Sequence, residues 1–256
     1  MKVFILCGGF GTRLDHEGTL IAKPMVRIGP DPILMHIIKS YCDQGYDDFV
    51  FCLGHKSHTI IDYFLKEKKI YLKIINNKKT DIKFIFNSKN LNFKGSLIYT
   101  GLNTGTGGRI KKAYKKLKLD EDIMMTYGDG LSNISIKKLI KFHYKNSSKV
   151  TLTAVRPKQR YGVLKIKNNK ITYFDNENRN ADTYVNGGFF IIDKYAINKI
   201  NGNNTYWEQE PLNFFAKKKQ LLAFKHDGFW KSLDTLKDKN DFNKLYNNKK
   251  KSPWRT

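Results

Sequence analysis

The strongest constraint on the fold is the rhythm of the first half of the chain. Short apolar runs alternate there with helical periodicity, and the first run ends in glycines. Lys2–Cys7 is β-rich and stops at Gly8-Gly9. Apolar residues at helical spacing follow over Pro32–Tyr46 (Ile33, Leu34, Ile37, Ile38, Tyr41), then a strand-like run over Asp48–Leu53. Ser57 is placed to cap a helix carrying Ile60, Ile61, Phe64 and Leu65. Strands are predicted at Lys83–Phe86, Leu97–Tyr99 and Ile123–Tyr127, and helices over Gly108–Leu117 and Ser135–Tyr144. Strands separated by helices need crossover connections, and these lay helices on both faces of a mainly parallel sheet.

The second half is richer in strands: Val150–Val155, Val163–Ile166, Ile171–Phe174 and Tyr184–Ile192, with Asn168-Asn169 as a hairpin turn. A helix over Trp207–Lys217, a strand over Leu221–Lys225 and a helix over Thr235–Tyr246 follow, and Lys249–Thr256 is a tail that docks through Trp254 or frays. No internal repeat or low-complexity linker breaks the chain. The expected fold is therefore α/β, a three-layer α/β/α unit over residues 1–256 with a mainly parallel, Rossmann-like mixed sheet and a β-rich insertion.

Charge is the loudest compositional fact, +24 from 47 Lys+Arg against 23 Asp+Glu. The lysines recur in most segments (Lys66–Lys69, Lys111–Lys118, Lys217–Lys219, Lys249–Lys251) rather than forming one stripe. No helix-turn-helix, zinc-finger or aromatic RNA-binding pattern accompanies them, so no nucleic-acid partner is expected. Such a positive field suits polyphosphate substrates equally well. No run approaches the length of a membrane span, and Met1–Cys7 is too short for a secretion signal, which places the expected protein in the cytoplasm with no membrane partner. Cys7, Cys42 and Cys52, lacking CxxC spacing, read as reduced core thiols. His55 and His58 lack a ligand cluster, and Phe189, Phe190, Phe214 and Phe215 read as core.

Gly8-Gly9-Phe10-Gly11-Thr12-Arg13 directly follows the first strand, where ligands gather beyond strand carboxyl ends. Glycines let backbone N–H groups converge on an anion, and Arg13 adds a cationic fork. The loop is neither GxGxxG nor a P-loop, and alone it could be a plain tight turn. Lys23-Pro24-Met25, ten residues on, can fold a second cation over the same pocket. Asp129, in Tyr127-Gly128-Asp129-Gly130, closes a later strand, and Asp234 stands where the last helix opens. Asp129 could be a turn carboxylate and Asp234 a helix N-cap. Taken together with the loop, the two could instead share a Mg²⁺ ion with triphosphate oxygens and water.

The strings GGFGTR, KPM, TGGR (Thr106–Arg109), YGDG, VNGGFF, WEQEPL and FWKSLDT, in this order from Lys2 to about Trp254, resemble the glucose-1-phosphate cytidylyltransferase family of sugar nucleotidyltransferases. The resemblance implies CTP plus α-D-glucose 1-phosphate giving CDP-glucose and pyrophosphate, with Mg²⁺ required, in a homo-oligomer. It makes Arg13, Lys23 and Asp129 catalytic and Asp129 and Asp234 the metal ligands. Leu6, Cys7, Gly8, Gly9, Gly11, Thr12, Arg13, Lys23, Thr104, Thr106, Gly108, Arg109 and Gly128 would surround the nucleotide. Tyr127, Gly162, Asn186, Gly187, Trp207 and Glu208 would face the acceptor, so residues 1–130 would mainly hold the nucleotide and residues 131–256 the acceptor. The chain departs from the family pattern at two places. Ile21-Ala22 precedes KPM where the family has Lys-Pro, and Phe174-Asp175-Asn176-Glu177-Asn178 stands where the family has F-x-E-K-P with a phosphate-binding lysine. Glu177 there would repel an acceptor phosphate unless Arg179 or Arg160 restores the charge, so a different phosphorylated sugar or polyol is the alternative acceptor.

Overall fold

Val3–Cys7 forms a strand (β1) buried along its whole length, as expected of a run apolar at every position. The computed structural model describes residues 1–10, 20–66, 71–78, 81–157, 163–167, 170–175, 183–248 and 252–254. After β1 come a 3-10 turn at Lys23–Met25, the two-residue strands β2 (Arg27–Ile28) and β3 (Asp31–Pro32), and helix α1 (Ile33–Cys42). Strand β4 (Asp48–Leu53), α2 (Ser57–Lys66), β5 (Tyr71–Lys78), β6 (Asp81–Ser88), β7 (Leu91–Tyr99) and α3 (Thr106–Lys116) complete the first half. The second half holds β8 (Ile123–Tyr127), β9 (Gly130–Ser132), α4 (Ile136–Lys145), β10 (Val150–Val155), β11 (Val163–Lys167) and β12 (Lys170–Asp175). It ends with β13 (Val185–Ile192), a 3-10 segment at Lys194–Lys199, α5 (Glu210–Lys217), β14 (Leu221–His226), β15 (Trp230–Ser232) and α6 (Leu236–Asn247).

Nine strands form one mixed sheet in the order β14-β10-β13-β8-β1-β4-β7-β6-β5. The pairings make all of them run the same way except β6 and β13, so the expectation of a mainly parallel sheet holds. Side chains of successive β1 residues divide between two cores. Val3, Ile5 and Cys7 pack with α1, α2, α4 and α6, while Phe4 and Leu6 pack with α3 and α5. These are the three expected layers. The antiparallel hairpin β11–β12, inserted between β10 and β13, is the β-rich insertion; its turn, Asn168-Asn169, lies outside the described residues.

The chain steps from β1 to β4 through α1 on one face, then returns from β7 to β8 through α3 on the other. A fixed crossover hand demands that change of face when the direction reverses. The reversal leaves a crevice beyond the carboxyl ends of β1 and β8, the place where ligands bind in open α/β sheets.

Two smaller devices bear on this crevice. The β9–β15 pair sets Ser232 opposite Gly130, and the Leu233 N–H donates to Asp129 O at 2.8 Å, so residues about a hundred positions apart become neighbours. Within the tail, Trp254 docks as expected, buried against His36, Phe229 and Phe242. Helix α5 begins at Glu210 rather than Trp207, because residues 207–209 form a turn ahead of Pro211 at the helix start.

Candidate active site

Gly8 and Gly9 leave the end of β1 with different surroundings. A Cβ at Gly8 would lie 2.4 Å from the Arg109 guanidinium, and one at Gly54 would lie 2.3 Å from it, whereas a Cβ at Gly9 meets nothing within 4 Å among the described residues. Gly8 therefore makes room for Arg109, and Gly9 is the glycine that leaves space for a ligand. Arg109 is 4% exposed and donates to Leu53 O, Thr100 Oγ1, Gly101 O, Gly8 O and Leu102 O at 2.7–3.1 Å. It thus ties together the turns that follow β1, β4 and β7. Burial lowers its pKa from the usual arginine value.

Two of the glycines before Arg109 have their backbone donors engaged by a distant segment. Gly105 N–H donates to Asn203 O and Gly108 N–H to Thr205 O. A Cβ at Gly108 would fall 2.1 Å from Asn203 O, so these glycines admit the 203–205 segment against α3. The sequence carries no local sign of this, since the contact spans about a hundred residues.

Lys23 lies in the 3-10 turn whose Pro24 packs on Gly128, where a Cβ would stand 2.8 Å from the proline ring. Ala22 N–H donates to Thr59 Oγ1 at 3.1 Å, a bond that proline at this position could not make. So anchored, the Lys23 ammonium reaches Asp129 Oδ2 at 2.6 Å and Asp234 Oδ1 at 2.9 Å. Burial pulls the Lys23 pKa down, but the charges and hydrogen bonds of the two aspartates outweigh it and hold it above the ordinary lysine value. The other oxygen of Asp234 accepts from Ser232 Oγ at 2.8 Å. Asp234 is not the cap of α6: Thr235 is, in a capping box with Asp238. Two carboxylates meeting at one cation, neither of them the cap of α6, are a donor set that fits a hard divalent ion, with phosphate and water oxygens filling the remaining places. Among the described residues no cluster of three or more metal-ligating side chains occurs, and His55 packs instead against the Phe10 ring.

On the other flank Glu208 accepts hydrogen bonds from both Tyr127 Oη and Thr106 Oγ1, and Asn186 Nδ2 donates to Tyr127 Oη at 3.2 Å. Burial, then the Glu208 charge, raises the Tyr127 pKa far above the usual phenol value. Trp207, expected to face the acceptor, has its indole fully buried beside Phe190; only its backbone N–H reaches this network, donating to Thr106 Oγ1. Gly187 O accepts from Trp230 Nε1 at 2.7 Å. A cleft of about 310 Å³ is lined by Leu6, Cys7, Gly9, Lys23, Pro24, Thr106, Tyr127, Gly128, Asp129 and Asp234. A second cavity adjoins it through Leu6, Gly9 and Thr106; Gly8, Gly105 and Arg109 also line it, and it adds Thr104, Phe10, Asn103, Asn204 and Tyr206. Sequence reasoning missed the last four; the half-exposed rings of Phe10 and Tyr206 stand out only once the fold brings them to one rim. Gly11, Thr12, Arg13, Arg160, Gly162, Glu177 and Arg179 lie outside the described residues.

A parallel-centred sheet with a glycine turn, a lysine and two convergent aspartates at its switch point defines the class: an α/β enzyme built to handle nucleotide phosphates. Residues 2–248 match the nucleotidyl transferase family model. The chain belongs to that family, in its glucose-1-phosphate cytidylyltransferase branch. It is 38% identical to glucose-1-phosphate cytidylyltransferase of Salmonella typhimurium over 260 aligned positions, covering 100% of this chain and 99% of the relative. It is 35% identical to the probable glucose-1-phosphate cytidylyltransferase of Bacillus subtilis, covering 96% of each. In fold it matches HddC from Yersinia pseudotuberculosis complexed with GMP-PN, with a TM-score of 0.68 at 24% identity, covering 96% of this chain and 99% of that one. No helix among the described residues is long and apolar enough to cross a membrane.

Proposed function

We propose that this chain transfers the cytidylyl group of CTP to α-D-glucose 1-phosphate, giving CDP-glucose and pyrophosphate. The observation that carries the reading is the meeting of Lys23, Asp129 and Asp234 beyond the carboxyl ends of β1 and β8. A sugar phosphate is mostly dianionic at neutral pH and is already a nucleophile, so no base is required. Its oxygen forms a bond to the α-phosphorus of CTP as the bond from that phosphorus to the β-phosphate's bridging oxygen breaks, and pyrophosphate leaves. Catalysis rests on alignment and charge neutralisation. Asp129 and Asp234 would hold Mg²⁺, which when bound neutralises negative charge on the phosphates. Lys23 and Arg13 would contact the phosphates. Residues 1–130 would mainly supply the nucleotide side, with Gly9 and Thr106 lining the cleft and Arg109 shaping its turns. Tyr127, Asn186 and Glu208, linked to one another, form the acceptor side. The enzyme works in the cytoplasm as a homo-oligomer.

Pyrophosphate release, measured against a panel of nucleoside triphosphates and phosphorylated acceptors in Mg²⁺, tests this reading. CTP is expected to exceed UTP, ATP and GTP by at least about tenfold in kcat/KM, roughly 1.4 kcal/mol. Equal use of UTP overturns the cytidylyl assignment. A second sugar or polyol phosphate preferred over glucose 1-phosphate moves the acceptor assignment to that compound.

A further inference from the structure

We propose that Lys23 is an exchangeable counter-ion. In the metal-free protein its ammonium takes the place between Asp129 and Asp234 that the divalent ion later occupies, and metal loading hands that ammonium over to the nucleotide's phosphates. The inference rests on the reading of the two aspartates as metal ligands and adds a second role for the lysine.

The geometry sets the two occupants in competition for the same oxygens. The ammonium uses one oxygen of each carboxylate, at 2.6 and 2.9 Å. A magnesium ion bound to those same oxygens sits at about 2.1 Å from each, which would press two cations together in one gap. The second oxygen of Asp234 is engaged by Ser232, so that carboxylate is held facing the gap. All three charged side chains are mostly shielded from solvent, at 17–29% exposure, so their mutual attraction is only partly screened. Charge counting gives the exchange a direction. A doubly charged ion attracts the two carboxylates more strongly than the singly charged ammonium it would replace, and so frees the lysine.

The freed lysine has somewhere to go. Its backbone is fixed by the 3-10 turn and by the packing of Pro24 on Gly128. Four rotatable side-chain bonds can therefore move the ammonium without moving the turn. The same cleft is lined by Gly9, whose side meets no described residue within 4 Å of a Cβ position. Lys23 would thus keep two like charges together before metal arrives, and its phosphate contact would be switched on only by loading.

Mn²⁺ binding without nucleotide, measured by titration calorimetry on the full chain, tests the exchange. Lys23→Met removes the competitor and is expected to bind Mn²⁺ at least about tenfold more tightly than wild type. Its thermal midpoint in EDTA should fall below that of wild type, and saturating Mn²⁺ should close the difference. Lys23→Gln, uncharged but still polar, should also bind more tightly, and it serves if the methionine variant does not fold. Unchanged or weaker Mn²⁺ affinity in the lysine variants, with binding lost in Asp129→Asn and Asp234→Asn, overturns the exchange alone. Binding that survives both aspartate substitutions overturns the metal-site reading on which it rests.

Discussion

Replacing Arg109 with alanine removes a guanidinium that is 4% exposed and has five oxygen partners. The partners do not all lose equally. Leu53 O keeps the Thr100 N–H at 3.0 Å and the Thr100 hydroxyl at 2.6 Å, and Gly8 O keeps the His55 N–H at 3.3 Å as its partner among the described residues. Gly101 and Leu102 lie near enough to solvent for water to replace the lost donor. Hydrogen bonds from a charged group contribute about 1.5–3 kcal/mol each, but the variant no longer carries the cost of burying the charge. The net loss expected is about 3 kcal/mol, or roughly 6–12 °C in Tm for a chain of this size. Arg109→Lys should recover less than half of it, because an ammonium has three donors and no planar fork. Thermal unfolding followed by circular dichroism, with nucleotide kcat/KM measured in parallel, checks both. A wild-type Tm for Arg109→Ala, with a selective loss of discrimination among nucleotides, would refute the reasoning and make the guanidinium a direct contact to the base.

Asp234→Ala should abolish pyrophosphate release while shifting stability by less than about 1 kcal/mol, whereas Thr235→Ala should cost about 1 kcal/mol and keep turnover, because Thr235 is the cap. Near-normal turnover in the first variant contradicts this. Burial raises the Asp238 pKa, but hydrogen bonds from Thr235 and pairing with Lys231 outweigh it and hold it below the ordinary carboxylate value. Its contribution to stability is therefore full above about pH 4 and lost as pH falls through the folded value. Denaturation midpoints of wild type and Asp238→Asn should differ at pH 7 and converge in acid. Gly108→Ala places a methyl 2.1 Å from a backbone oxygen and should lower Tm and raise nucleotide KM together, while Gly9→Ala should keep Tm and lower kcat/KM. Equal Tm for the two variants counts against the packing role of Gly108.

The central strands were legible because a strand buried on both faces must be apolar throughout, as β1 and β4 are. Strand β5 was not read at all, since Tyr71–Lys78 is an edge strand rich in lysine and asparagine and reads as a loop. The start of β7 was hidden by Gly95, a position kept small because the Phe84 ring of β6 lies across it. Lys23, Asp129 and Asp234 could be picked out by residue type, and the fold brings the three together. What local sequence could not decide was whether Asp234 caps a helix. The answer depends on the register of β9 against β15 and on the Thr235–Asp238 box. The roles of Gly8, Gly105 and Gly108 were equally hidden, because the atoms that need the space come from distant segments.

The β9–β15 pairing also bears on how the enzyme matures. Asp129 lies midway along the chain, and its partner Asp234 follows about a hundred residues later, just past β15 and ahead of α6. Loop closure over that distance is slow relative to local helix formation. A nascent chain can therefore build the sheet from β1 to β8 on the ribosome and still lack half of its acidic pair. A divalent ion that binds only the joined pair would act as a clasp on this final closure, biasing the ensemble towards the finished enzyme by mass action. Divalent metal would then govern the yield of folded protein as well as its turnover.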